Sequence, residues 1–230
     1  AAAAWTGAHA LATALGDASG AARALAELGN TALSAGEPDR AEALLQEAAA
    51  AFRGFGDDLR LSACLCNLSD LALQRGEAAR GRDLAAQSAA IDEALGNRDD
   101  LAHSLNNLGR AELALGRRDE AMAHLTRGLA LAADLGFTEL LGYLLHAVAE
   151  VAALRGNARQ AALLVGAADA RLEEIRVPLQ PLEQRARAAT LQDLERRLGV
   201  ERVAALRGEG AGLPVPDAVA VATGGHAPAR

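Results

Sequence analysis

Polar side chains able to hydrogen-bond a ligand recur in this chain at a fixed interval. Asn30, Asp70, Arg110 and Glu150 stand forty residues apart, and a second column holds Asn67 and Asn107. An Asn amide donates and accepts at once, so a row of amides suits the backbone of an extended peptide. His103, His146 and Glu150 supply imidazole and carboxylate, ligand types that zinc accepts. A polar lining is the expectation for them all the same, with no metal. His124 shares a column with Leu44, Leu84 and Leu164 and reads as a residue at the edge of the core. Cys64 and Cys66 lie two apart, and such residues do not share a helix face. They read as small core or groove residues, and two thiols in 230 residues fit a reducing, cytoplasmic compartment. No Ser/His/Asp set and no pair of carboxylates has a spacing that supports catalysis. The chain is expected to be no enzyme and to carry no cofactor.

Composition removes further classes. All 23 basic residues are Arg, so the lysine of a phosphate loop and the lysine of a Schiff base are both missing. A net charge of −7 opposes direct nucleic-acid binding, which needs a basic face against the phosphates. No apolar run reaches the roughly 18 residues of a membrane span, and the first residues lack the basic start of a signal peptide. The segment GEGAG (208–212) has no preceding strand, so it reads as a turn and not as a phosphate cradle. Six Arg against four acids between 182 and 207 read as a solvated face in preference to a dock for an acidic partner. Hydrophobic residues make up 51 % and aromatics 2 %, with 6 Pro in the chain. That excess of Ala and Leu points to helix throughout.

The elements that must position the polar columns are marked by glycine. Gly16, Gly36, Gly56, Gly76, Gly96, Gly116, Gly136 and Gly156 fall every twenty residues, each where a helix would stop in a left-handed conformation. Asp17, Asp57 or Asp58, Asn97 and Thr138 are placed to cap the helices that follow, and Pro38 sits just inside a start. Alternate glycines are not equivalent, so the unit is two antiparallel helices in forty residues. Leu25, Leu65, Leu105 and Leu145 form one apolar column, and Leu28, Leu68, Leu108 and Val148 another. Small residues follow at Gly29, Ser69, Gly109 and Ala149, and again at Ala41, Gly81, Ala121 and Ala161. Phe55, Leu95, Leu135 and Ile175 are expected to close each unit.

These columns resemble the tetratricopeptide repeat (TPR). LAELG, LCNLS and LNNLG, with Ala41, Gly81 and Ala121 downstream, match its alternation of bulky and small positions. The forty-residue unit is longer than the usual period of about 34, and the aromatic that often follows Leu-Gly is absent. The resemblance implies an all-α, right-handed TPR superhelix (an α-solenoid). Its units are a half repeat at 1–16 and repeats at 17–56, 57–96, 97–136 and 137–176. A helical cap at 177–222 and a flexible tail at 223–230 follow. The same register turns Arg23, Asn30, Cys66, Asn67, Asp70, His103, Asn106, Asn107, Arg110, Tyr143, His146 and Glu150 toward a concave groove. The opening half repeat (Trp5 in the column of Leu45, Leu15 in that of Phe55) leads us to expect a longer parent protein. It also offers an open end for self-association.

The last segment carries a second resemblance. Leu163, Leu164, Val165, Gly166, Ala167, Ala168 and Asp169, then Pro178 and Pro181, then Ala218 to Ala222 are similar to the C-terminal arm of large bacterial regulators. Those are ATPases of the STAND type, among them LuxR-family and AfsR/SARP-like transcriptional activators. The bulky aromatic common in the short helix before the last one is missing here. This resemblance implies a sensor arm that binds a protein, peptide or small inducer and signals to an attached ATPase switch. The alternative is a free-standing TPR scaffold that joins partners.

Overall fold

The computed structural model describes residues 2–224, and all regular structure among them is helical. A short α1 (Ala2–Ala14) precedes four helix pairs. These are α2 (Ala18–Ser34) with α3 (Pro38–Phe55), α4 (Asp58–Gln74) with α5 (Ala78–Leu95), α6 (Arg98–Ala114) with α7 (Arg118–Leu135), and α8 (Thr138–Leu154) with α9 (Ala158–Ile175). Then come α10 (Pro181–Leu198), α11 (Val200–Ala211) and α12 (Val215–Ala222). The chain forms two compact units, 1–107 and 108–230, divided within α6. Ala1 and residues 225–230, most of the segment read as a tail, lie outside the described residues.

Local chemistry accounts for the helix ends. All eight periodic glycines adopt φ between 67° and 87°. The residue after each donates its N–H to the carbonyl five residues back, as Asp57 does to Phe52 at 3.0 Å and Glu77 to Ala72 at 2.9 Å. Asp17 caps α2 through Gly20 N at 2.8 Å, and Asp57, not Asp58, caps α4 through Arg60 N at 3.3 Å. Thr138 is the first residue of α8 and Phe137 takes the cap position, without a side-chain bond.

The backbone period outlasts the glycines. Position 176 is the next in the series, and Arg176 there adopts φ 56° while Val177 N bonds Leu172 O at 3.1 Å. A left-handed residue with a Cβ costs about 1–2 kcal/mol. Arg176→Gly is therefore expected to stabilise the protein by about 1 kcal/mol, read as a higher urea midpoint. An unchanged or lower midpoint would show that the arginine side chain offsets its own strain.

Small residues set the helix spacing within each unit. In the first, a Cβ built on Gly29 would lie 2.7 Å from Leu45 Cγ. Where the residue facing that position shrinks to Ala85, the glycine is replaced by Ser69, whose hydroxyl donates to Gly81 O at 2.8 Å. In the second, Gly109 meets Leu125 and Gly142 meets Leu172 as closely. The closing residues are not those expected. Phe55 and Leu95 are each 49 % exposed, because the core-facing position lies one turn earlier, at Phe52, Asp92, Ala132 and Leu172.

That column places a carboxylate in the core of the first unit. Asp92 Oδ1 accepts from Ser62 at 2.6 Å and Oδ2 from Ser104 at 3.0 Å, and Ser88 lies 2.9 Å from Ser62 Oγ and 2.8 Å from Ser104 Oγ. All four side chains are fully buried. Burial raises the Asp92 pKa, and the serine hydroxyls work against the rise.

In the second unit α10, α11 and α12 cover α7, α8 and α9. α11 lies on α9 backbone to backbone: a Cβ on Gly166 would sit 2.0 Å from Arg207 O, and one on Gly210 1.9 Å from Leu163 O. The GEGAG segment is thus mostly helix (α11 runs to Ala211) and not the turn expected. Gln160 Nε2 reaches Val221 O at 2.6 Å and ties α12 to α9. Along α10 the buried residues are Thr190 and Leu194.

Candidate functional site

Within the first unit, positions 23, 26, 27 and 30 of α2 share one helix face, as residues three, four and seven apart must. Their counterparts on α4 include Ala63 and Asn67. Together they line an open cavity of about 300 Å³, floored by Leu45 and Phe52 of α3 and edged by Trp5 of α1. Asn67 Nδ2 donates to Asn30 Oδ1 at 2.9 Å. The Asn30 amide N–H groups and the Asn67 side-chain oxygen take no part in that bond. Arg23 is exposed at the rim, and Arg60, also in the lining, is held by Asp57 at 2.5 Å.

Other expected groove residues of this unit serve to join helices. Asn107 Nδ2 donates to Cys66 O at 3.1 Å, tying α6 to α4, and Asn106 Nδ2 reaches Asn107 Oδ1 at 3.4 Å. Both asparagines are buried, and Asn106 Oδ1 has no hydrogen-bond partner among the described residues. Asp70 accepts from Gln74 Nε2 at 2.7 Å, and His103 is exposed. Burial and nearby carboxylates push the Cys64 and Cys66 thiols up to about 12, so both stay protonated at neutral pH.

In the second unit the equivalent face is covered. Arg110, Tyr143, His146 and Glu150 come together, and Glu183, Ala186 and Arg187 of α10 close over them. Arg110 Nη2 lies 2.6 Å from Glu183 Oε1. Asp169 of α9 gathers Arg187 in a two-point contact at 2.7 and 2.6 Å, and Arg207 of α11 at 2.7 Å. Burial alone would raise the Asp169 pKa, but His146 and these two guanidinium groups hold it well below the usual carboxylate range. Burial raises the Glu150 pKa, with Arg110 partly offsetting it. Tyr143 is pushed up to about 12 by burial and by the carboxylates of Glu139 and Glu183. Among the described residues no three His, Cys, Asp or Glu side chains gather as a metal-binding set.

The reading by columns missed Glu27, Arg60, Asp169, Glu183, Arg187 and Arg207. A signal existed for Glu27, which stands forty residues before Asn67, and for Asp169, which ends the Leu163–Asp169 motif. Nothing in the period announces α10, whose residues follow the last repeat.

Comparison with known proteins bears on this geometry. The sequence profile of the tetratricopeptide repeat family matches residues 101–134. That segment matches a tetratricopeptide repeat, and the fold of the described residues is TPR-like. Among solved structures, BtubC (BKLC) from P. vanneervenii superposes with a TM-score of 0.62 over 93 % of this chain and 92 % of its own, at 14 % identity. A protein described as a kinesin light chain of Podospora anserina, with nearly identical TPR-like repeats, superposes with a TM-score of 0.55 at 20 % identity. That match covers 87 % of this chain and 94 % of the other. No curated protein sequence matches significantly. Among the described residues no helix is long and apolar enough to cross a membrane.

Proposed function

We propose that this TPR array binds an extended segment of a partner protein in the cavity of its first unit. The observation that carries the reading is the Asn30–Asn67 amide pair set over an apolar floor of Leu45 and Phe52. The spare donors and acceptor suit a peptide backbone, the floor accepts one apolar side chain, and Arg23 attracts a carboxylate on the same segment. A volume of about 300 Å³ lies at the small end of ligand pockets, which favours a side chain of a peptide over a large cofactor.

A displayed random-peptide library, selected on the full chain, tests this. Selected peptides are expected to carry an apolar residue near an acid and to lose at least tenfold in affinity with Arg23→Ala/Asn67→Ala, whose melting matches the unaltered protein. Equal affinity for the double variant would sink the proposal.

We further infer that the array is the sensor arm of a cytoplasmic bacterial regulator and signals occupancy to an attached ATPase switch. The Leu163–Asp169 motif and the two prolines after it support that context. In the structure Leu163, Gly166 and Asp169 hold the terminal helices in place. Reading the complete gene separates the sensor arm from a free-standing scaffold: an upstream phosphate loop supports the first, and a start codon immediately before Ala1 supports the second.

A further inference from the structure

The N-terminal half of α10 presents Glu183, Ala186 and Arg187 on one helix face, at positions i, i+3 and i+4. Each meets a complementary feature of the face beneath it. Glu183 takes Arg110, Arg187 takes Asp169, and the small Ala186 lies over the remaining gap. The fit is incomplete. Glu183 Oε2 is buried without a hydrogen-bond partner among the described residues, and so are both ring nitrogens of His146. His146 Nε2 lies 3.2 Å from Asp169 Oδ1 but outside hydrogen-bonding geometry. Buried polar groups left unmade are costly, so this contact is weaker than its charge pairs alone suggest. The buried anchors of α10, Thr190 and Leu194, both belong to its other half, and the segment before it (177–180) has no regular structure.

We propose that the face formed by Arg110, His146 and Asp169 is a docking site for a partner helix bearing an acid, a small residue and a base at i, i+3 and i+4, and that α10 is its resident competitor. The occupant's chemistry is read from what α10 already places there. A helix that also bonds His146 Nδ1 satisfies an atom that α10 leaves without a hydrogen bond, and it displaces the Pro181–Arg187 portion while Leu194 and α11 stay in place. This site is separate from the cavity of the first unit, and either can fail without the other.

The probe is a fluorescently labelled peptide of residues 179–199, titrated by anisotropy against the full chain. We expect it to bind the Glu183→Ala/Arg187→Ala chain at least tenfold more tightly than the unaltered chain. A peptide carrying the same two substitutions is expected to bind neither. Equal binding of the probe to both chains, or binding to neither, overturns the proposal. Should the double variant lose its helicity, hydrogen exchange on the unaltered chain decides. Amides 185–189 of α10 are expected to exchange at least tenfold faster than 162–166, at the same depth in α9, and equal protection overturns the proposal.

Discussion

Gly210→Ala is expected to lower stability by about 3 kcal/mol, while Gly208→Ala, two residues earlier on α11, raises it by about 0.5–1 kcal/mol. The second figure is the ordinary gain from replacing glycine in a helix, because nothing lies within 4 Å of a Cβ at Gly208. The first comes from overpacking. A methyl at 210 would sit 1.9 Å from the carbonyl oxygen of Leu163, and a backbone atom cannot turn aside as a side chain can. Relief requires α11 to move off α9, which uncovers Leu163 and draws Arg207 away from Asp169. Gly166→Ala should match Gly210→Ala, since its methyl would meet Arg207 O at 2.0 Å. Urea unfolding supplies the stabilities, and limited proteolysis between 199 and 215 reports detachment of the cap. If Gly210→Ala and Gly208→Ala shift the midpoint alike, the close crossing of α9 and α11 is wrong.

Asp92→Leu alone is expected to destabilise the first unit by about 3 kcal/mol, although leucine occupies the same column at Leu172. The loss arises because the buried hydroxyls of Ser62 and Ser104 lose the carboxylate that accepts from them, and each unmet buried group costs about 1–3 kcal/mol. The combined change Asp92→Leu with Ser62, Ser88 and Ser104 all replaced by Ala should recover most of that loss. Swapping a whole buried polar set for apolar groups of similar volume is often neutral or stabilising, and Ala22, Ala48 and Cys64 stand forty residues before Ser62, Ser88 and Ser104. Thermal melts of the single and quadruple variants decide it. A quadruple variant no better than Asp92→Leu would mean that the network specifies the packing of α4, α5 and α6 beyond satisfying its own polar atoms.

The two results expose different limits of reading this chain. Periodic glycines were legible because a left-handed residue is a local demand: each Gly acts on its own turn, whatever packs nearby. Gly210 carried no such meaning, and in GEGAG it looked like a turn. Its role is to let another backbone approach, and that backbone is 47 residues away. The closing column was misplaced by one turn, at Phe55 in place of Phe52, because both are phenylalanines at helical spacing and only the tilt of α3 selects the buried one. Missing that column meant missing Asp92, which looked like one more acid beside Glu93 on an Ala-rich helix. Polar columns on the first helices were legible from their spacing. What they do there differs by repeat: Arg23, Asn30 and Asn67 line an open cavity, Asn106 and Asn107 are buried among helices, and Arg110 and His146 lie under α10.

By itself the sequence determined the helix count of the repeats, their twenty-residue pitch, and which faces carry polar side chains. These follow from backbone torsions and side-chain periodicity within a few turns. Only the tertiary structure decided which of those polar faces stay open. That depends on α10, α11 and α12 returning over α7, α8 and α9, and on charge pairs such as Arg110–Glu183 and Asp169–Arg187. Such pairs join residues with no periodic relation, so the spacing of the repeat holds no trace of them.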